Sequence, residues 1–238
     1  MRRYRALIHM PLSQYSRLRN YGTAHNLTIT QPGNYAAFVT PRITQDGRSQ
    51  HHLRLYPPNT PAAAHSFVSI DVTGSDFHSA DTGVGTEGLL FAVWLQIHEK
   101  GTMALVESSR DTEKDAQCIV LWTYANGKKL LFNSQYKARR IITVSPRVGQ
   151  WYHVAVTLSQ SKKSAKLYWD GENFISAPWQ YSKESIGDTK TIYLGHRYRN
   201  RNRYRANISV ACFRLASWKQ LAQSRISEAQ WISNSRSC

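Results

Sequence analysis

The sequence is short of acidic residues and of cysteine. It has 15 Asp and Glu against 31 Lys and Arg, which gives a formal net charge of +16 over 238 residues. This imbalance favours polyanionic partners, among them sulfated glycans, nucleic acid, anionic membranes and acidic proteins. The 3 cysteines are too few for a disulfide-built scaffold, so a hydrophobic core must hold the fold together.

Long apolar runs are absent as well. No segment approaches the roughly twenty apolar residues of a membrane-spanning helix. Residues 1–11 carry positive charge but lack the apolar h-region of a secretory signal. We therefore expect no membrane span, and either a mature segment whose leader was removed or a subunit that is not secreted.

Motifs of nucleotide and metal chemistry are also missing. The chain has no Walker loop and no Gly-x-Gly-x-x-Gly turn, and its histidines show no metal-ligand spacing with cysteine. No Ser or Cys nucleophile has a partner base that its spacing would identify. These absences argue against nucleotide-dependent, zinc-dependent and triad-type enzymes.

The sequence does contain clear strand patterns. Residues 151–158 alternate between two sets, and the set that we predict to face the core is Tyr152, Val154, Val156 and Leu158. A second strand pattern, 165–169, stops at Asp170-Gly171, a pair suited to a type I′ hairpin turn. Asn126-Gly127 predicts another hairpin, between 117–124 and 128–132. The 41% of hydrophobic residues and the length fit one large all-β domain or two small ones.

One part of this pattern matches a known family. Gly-Gln-Trp-Tyr-His-Val-Ala-Val-Thr at 149–157, followed by Leu-Tyr-Trp-Asp-Gly at 167–171, resembles the laminin-G-like branch of the concanavalin-A-like lectin/glucanase superfamily. The segments similar to further elements of that family are 89–95, 191–195, 204–208 and 221–231. The resemblance covers residues 66–238 and implies an all-β fold, a two-sheet antiparallel jelly-roll sandwich. The sequence departs from the family at Ala206, where glycine is usual, and at Asn207-Ile208-Ser209.

The resemblance also bears on metals and disulfides. Many laminin-G-like modules carry one calcium ion at the sandwich rim, and the polar loop 74–88 offers Asp76, Asp81 and Glu87. Their spacing matches no fixed calcium loop, so calcium ligands are not assignable and we expect no cofactor. The family implies a late disulfide, and a bond between Cys212 and Cys238 is left open.

Catalysis is disfavoured by a missing carboxylate. The glycan-cleaving relatives need two acids that face each other on a Glu-x-Asp-x-x-Glu strand. Glu113-Lys114-Asp115 comes nearest, but Cys118 stands where the last acid would be. We predict that Cys118 is a buried thiol and that the protein is not an enzyme.

Residues 1–65 differ from the rest. They contain eight arginines and a single acid, Asp46, and their prolines and glycines leave only short possible strands at 26–30 and 35–39. We predict a basic N-terminal arm, partly extended or packed on the sandwich.

The densest positive charge is a row of arginines at every second position: Arg197, Arg199, Arg201, Arg203 and Arg205. An extended segment would project all five from one face, and a turn at 200–202 would gather them on a hairpin. Guanidinium groups bind sulfate, phosphate and carboxylate in bidentate fashion. We therefore predict an anion-binding site here, together with the basic residues Lys128, Lys129, Arg139 and Arg140. The alternative is a solvated face whose arginine stems cover aromatic surface.

Two hypotheses of function follow. The first is a non-enzymatic recognition or adhesion module, extracellular or secreted, that binds an anionic glycan or a glycoprotein through rim loops and the arginine-rich strand. The alternative is a structural subunit of an intracellular or organellar assembly, whose arginine-rich arm binds acidic protein surfaces. Nucleic acid is disfavoured as a specific ligand because no nucleic-acid-binding motif is present.

Overall fold

The computed structural model describes residues 6–12, 18–30, 37–39, 52–56, 66–109, 117–124, 129–134, 138–142, 146–178, 189–195 and 206–236. These residues form two antiparallel β-sheets that face each other. Sheet A consists of β1 (Ile8–Met10), β3 (Ala37–Val39), β4 (His52–Leu55), β6 (Gly88–Ile97), β11 (Trp151–Ser159), β12 (Ser164–Trp169), β13 (Glu172–Pro178) and β15 (Ile208–Ser217). Sheet B consists of β2 (Thr28–Thr30), β5 (Val68–Asp71), β7 (Met103–Ser109), β8 (Gln117–Tyr124), β9 (Lys129–Ser134), β10 (Ala138–Ile142) and β14 (Thr191–Leu194).

The strand orders show a sandwich built from long-range pairs. Sheet A runs β13-β12-β11-β6-β15-β4-β3, with β1 also paired to β15, and sheet B runs β10-β9-β8-β7-β14-β5-β2. The hydrophobic core fills the space between the sheets. The predicted all-β, two-sheet antiparallel sandwich is therefore confirmed.

Short helices accompany the strands. A 3₁₀ helix (Asp76–His78) and α1 (Val84–Glu87) lie in the predicted polar loop, and α2 (Trp218–Ser224) and α3 (Glu228–Ser235) follow β15. Ser217 and Ser227 each form a capping box with a glutamine three residues later. In the second box the Ser-Glu-Ala-Gln spacing at 227–230 is itself a sequence signature of a helix start.

The local sequence predictions for the hairpins hold. Residues Tyr152, Val154, Val156 and Leu158 are buried in the core. Asp170 and Gly171 have φ angles of 51° and 89°, the two positive values of a type I′ turn, and they join β12 to β13. Strands β8 and β9 pair on either side of the predicted Asn126-Gly127 turn, which lies outside the described residues.

The segment 1–65 contributes strands to both sheets. β4 pairs with the first part of β15, and β1 pairs with its last part, so both lie along the same edge of that strand. β2 extends sheet B. Leu7, Ile8, Leu53 and Leu55 are all in the core. The described parts of the predicted arm are thus packed into the sandwich itself.

A second, smaller cluster lies on the outer face of sheet A. Helices α2 and α3 cover that face over one half of its length and bury a set of apolar side chains: Leu90, Ala92, Ala155, Ala216, Leu221, Trp231 and Ile232. The other half of the outer face is left uncovered by these two helices, and it presents polar and aromatic residues.

Cys212 is disulfide-bonded. It lies at a bulge in β15, with a φ of 49°, and its backbone N–H donates to the carbonyl of Pro11. Cys238 and the side chain of Cys118 lie outside the described residues, so the structure does not describe the partner of Cys212, and the predicted buried Cys118 thiol stays a prediction.

Gly88 provides a stability test of the β6–β11 pairing. Its φ is 99°, and an added Cβ would lie 2.1 Å from the Leu158 carbonyl oxygen, whereas a Cβ on Gly74, with φ 85°, would meet nothing within 4 Å. Both alanine variants carry the strain of a positive φ, and Gly88, with a ψ of −173°, lies in a region that essentially only glycine adopts. We expect Gly88→Ala to lower the free energy of unfolding by about 1–3 kcal/mol more than Gly74→Ala, because it adds this backbone strain and also overpacks the backbone of β11. Equal losses in urea denaturation would contradict this pairing.

Candidate functional site

The predicted anion-binding residues are only partly described by the structure. Arg197, Arg199, Arg201, Arg203, Arg205 and Lys128 lie outside the described residues. Lys129 begins β9, and Arg139 and Arg140 lie on β10, but their side chains are not described either. In the register, Lys129 is opposite Tyr124 and Arg139 is opposite Asn133. Asn133, the residue opposite Arg139, lies four strand positions, about 13 Å, from Lys129 on β9. The described backbone therefore does not bring Lys129 and Arg139 together.

The ends of the arginine-rich segment are both described. The carbonyl of Gly195 accepts a hydrogen bond from the N–H of Ala206 at 3.1 Å. The two described residues that flank the segment, Gly195 and Ala206, therefore lie side by side. They lie at one point, the start of β15, where the N–H of His98 also donates to the carbonyl of Asn207.

Beside this point, the uncovered half of the outer face of sheet A carries a row of side chains that cross four strands. Trp151 is opposite Gln96, Gln96 is opposite Ser209, and Ser209 is opposite Arg54. Directly opposite residues share a face of the sheet, as do residues two positions apart on one strand. The row and its next neighbours, which we call the outer-face patch, are His52, Arg54, Trp94, Gln96, His98, Trp151 and Ser209.

The alternation of the same strands places apolar residues inside. Leu53, Leu55, Leu95, Ile97, Tyr152, Ile208 and Val210 are all buried in the core. The core therefore fixes which residues face outward, and the outer-face patch is a consequence of the sandwich packing.

Ring contacts and hydrogen bonds hold the outer-face patch in shape. The rings of His52 and Trp151 meet edge to face, with centroids 5.1 Å apart. The Nε2 of His98 and the hydroxyl of Ser209 are 2.7 Å apart, and the side-chain amide of Gln96 donates to the carbonyl of Gly149 at 2.6 Å. The half-buried tryptophans thus offer rigid ring surface beside polar groups, an arrangement suited to ligands with both polar and apolar faces.

Arg54 is the charged centre of the outer-face patch. Its Nε atom is buried and has no hydrogen-bond partner among the described residues, and no described carboxylate forms an ion pair with it. Desolvation lowers the pKa of the guanidinium from its ordinary value, although an arginine still stays charged. The side chain as a whole is partly exposed. An anion that reaches this group would gain a charge-assisted hydrogen bond that the described chain does not supply.

Three histidines on the outer face of sheet A, His9, His98 and His153, are neutral at physiological pH. Burial, with smaller contributions from Arg54 and His52, lowers the pKa of His98 to about 4. Burial, followed by Arg214, lowers the pKa of His9 to about 4. His153 stacks edge-on against Trp94 with centroids 5.3 Å apart, and burial, followed by Arg236, lowers its pKa to about 3. These three histidines therefore add no positive charge to this face at physiological pH.

A groove lies farther along the same face, between β12 and α3. Its volume is about 500 Å³, and its lining includes Lys162, Lys166, Tyr168, Gly171, Glu228 and Arg236. Lys162 stands over the ring of Trp218, with its Nζ 5.0 Å from the ring centroid. The guanidinium of Arg236 packs on the turn at Gly171, where an added Cβ would lie 2.9 Å from its Nη1.

Glu228, which lines this groove, connects α3 to the sheet through three hydrogen bonds. Its Oε1 accepts from the hydroxyls of Thr157 and Tyr168 at 2.7 and 2.8 Å, and its Oε2 accepts from Lys166 at 2.9 Å. Burial alone would raise the pKa of this carboxyl, but the hydrogen bonds from Lys166, Thr157 and Tyr168 outweigh it and lower the pKa. Burial and the same carboxylate raise the pKa of Tyr168. The carboxylate is thus ionised and fully bonded.

Sequence reasoning missed the outer-face patch. The outward position of Trp151 followed from the alternation in β11, but Arg54 and His52 were assigned to the basic arm. The motif His-Leu-Arg-Leu at 52–55 does alternate, which is the one local signal that could have marked them as a strand with a polar outer face.

The comparisons with known proteins address the family. A model of the concanavalin A-like lectin/glucanases superfamily matches residues 71–216, more than half of the chain. The chain belongs to this superfamily. Comparison with curated protein sequences gives no match.

Solved structures show the same concanavalin A-like fold. A receptor binding domain superposes with a TM-score of 0.60 at 11% identity, over 89% of this chain and 47% of that one. Botulinum neurotoxin type C, whose cell entry depends on interaction with two ganglioside molecules, gives 0.59 at 10% identity, over 97% and 51%. The binding domain of botulinum neurotoxin serotype D gives 0.58 at 12% identity, over 89% and 47%. The chain spans about half the length of these structures, and the likeness concerns the fold.

The described residues offer neither a metal cluster nor a membrane-spanning helix. They contain no group of three or more His, Cys, Asp or Glu side chains placed to hold a metal ion. In the polar loop 74–88, Asp76 accepts a hydrogen bond from the N–H of His25 at 2.8 Å. Across the described part of the chain, no helix is long and apolar enough to cross a bilayer.

The buried His153 predicts an acid-sensitive fold. Its pKa is about 3 in the folded chain, against 6.5 for an unperturbed histidine. Between pH 6.5 and 3, His153 is therefore protonated in the unfolded chain and neutral in the folded chain. Stability therefore falls as the pH drops from about 6.5 towards 3, by up to about 1.4 kcal/mol per pH unit for one such group. We expect His153→Gln to flatten the slope of unfolding free energy between pH 7 and 5. The matched variant at an exposed histidine, His25→Gln, should leave the slope unchanged, and equal slopes in all three proteins would contradict the assignment.

Proposed function

We propose that this protein is a non-enzymatic recognition module that binds an anionic glycan on the outer face of sheet A. The observation that carries the proposal is Arg54, a half-buried guanidinium with no described carboxylate partner, set among the rings of the outer-face patch. Sugars present hydroxyls and an apolar ring face, which fit Gln96, His98 and the tryptophans. An acidic sugar would supply the anionic partner that Arg54 lacks among the described residues.

The charge of the whole chain supports an anionic ligand. The net charge of +16 raises the local concentration of polyanions and speeds their association. Gly195 and Ala206, the described residues that flank the predicted row Arg197 to Arg205, lie at the same end as the outer-face patch. We propose that this row, with Lys128, Lys129, Arg139 and Arg140 as further candidates, adds attraction around the central contact.

The family supports a binding role. The superfamily contains lectins by name, and a neurotoxin of the same fold interacts with gangliosides, which are glycolipids. At 10% identity that ligand is not transferable, but it is compatible with a glycan on this fold. Glu228 is an ionised, fully bonded clamp, which suits a structural role better than that of a general acid.

An extracellular or secreted location belongs to the same proposal. Cys212 is disulfide-bonded, and structural disulfides persist in oxidising compartments. The alternative, a structural subunit that binds acidic partners through residues 1–65, shares the basic charge. In the described parts, however, this segment is engaged in both sheets, so glycan binding on the outer face of sheet A is our preferred proposal.

Arg54→Ala tests the proposal. Loss of a charge-assisted contact should weaken binding to immobilised heparin, used as a representative polyanionic glycan, by about 1.5 kcal/mol or ten-fold. Lys190→Ala removes the same charge next to β14, in the opposite sheet, where Lys190 is exposed, and should cost much less. Arg54→Lys should restore charge but not the bidentate contact.

The measurement is affinity by surface plasmon resonance at fixed salt, with circular dichroism and urea unfolding to show that each variant folds. Equal losses for Arg54→Ala and Lys190→Ala would mean non-specific attraction and would refute the outer-face patch as the site. The triple variant with Arg199, Arg201 and Arg203 changed to Ala tests separately whether the arginine row contributes.

A further inference from the structure

The outer-face patch and the groove are continuous. The indole N–H of Trp94, in the patch, donates to the carbonyl of Arg236 at 3.1 Å. The side chain of Arg236 lines the groove and rests on Gly171. Arg236 is therefore the point where the two surfaces meet at the C-terminal end of α3.

The floor of the groove is neutralised, whereas its two ends are positive. The described acid of the groove lining, Glu228, is offset by Lys166 and uses both of its oxygens. Lys162 at one end and Arg236 at the other have no carboxylate partner among the described residues. Nearby, Asp170 accepts a hydrogen bond from the backbone of His153. Positive charge thus recurs along one path, from Arg54 through Arg236 to Lys162.

The path is long. Along β11 it runs from Trp151, in the outer-face patch, to Thr157, which contacts Glu228 in the groove, and six strand positions span about 20 Å. A single terminal sugar cannot contact both ends of such a surface. A linear chain of several sugars, with acidic groups at intervals, can.

We propose that the ligand is a linear anionic oligosaccharide that lies along the outer face of sheet A, from the outer-face patch past Arg236 into the groove. This inference rests on the proposed glycan-binding function and specifies the kind of glycan. Recognition of this type requires charge at intervals in the ligand, because the cations are separated by aromatic and neutral surface.

Size-defined heparin oligosaccharides, from disaccharide to octasaccharide, test the length of the site by isothermal titration calorimetry. The wild-type affinity should rise with ligand length and then level off. The double variant Lys162→Ala, Arg236→Ala should bind the longest oligosaccharide about ten-fold more weakly and the disaccharide as the wild type does. Arg54→Ala should weaken the binding of oligosaccharides of every length. Any basic protein binds longer polyanions more tightly, and Lys190→Ala serves as the control for the loss of one such non-specific charge.

Two failures are distinguishable. If Arg54→Ala weakens all lengths but the groove variant weakens none, or weakens all equally, the ligand does not extend into the groove and this inference is wrong while the proposed function stands. If Arg54→Ala has no effect at any length, the proposed function itself is wrong.

Discussion

The pairing of β15 with its neighbours is the constraint on which the rest of the structure depends. One edge of β15 pairs with β6, and the other edge is divided between β4 and β1, two strands of the basic N-terminal segment. Alternate residues of these strands are committed to the core, so the remaining residues must face outward. Arg54, Ser209, Gln96 and Trp151 stand in one row because the core strands hold this register.

The outer face carries two partly buried charges, of which one is fully hydrogen-bonded and the other is not. Glu228 is fully satisfied by three donors and fixes α3 on the sheet, as expected for a buried charge that stabilises a fold. Arg54 has no such partner among the described residues. Glu228 thus holds the framework, whereas Arg54, which is partly exposed and has no described carboxylate partner, is the charge that a ligand could neutralise.

The features that could be predicted from the sequence are those that depend on residues close together in the chain. The alternation in residues 151–158, the Asp170-Gly171 turn and the capping box at Ser227 are local signals, and the structure confirms each of them. The outer-face patch could not be predicted, because it joins Arg54 to Trp151 through two strands that are far apart in sequence. Strands β1 and β4 are three and four residues long, and they form because β15 offers an edge, in a segment whose prolines and glycines indicate loops. The Thr157–Glu228 contact also escapes prediction, because the two residues are 71 positions apart in the sequence.

The most direct test of the central claim is an NMR titration of the indole N–H signals with an anionic oligosaccharide. The signals of Trp94 and Trp151, assigned through single Trp→Phe variants, should shift in a saturable manner. The signal of Trp231, which is fully buried on the inner side of α3, should not move. Saturable binding with unchanged Trp94 and Trp151 signals would show that the ligand lies elsewhere and would contradict the account.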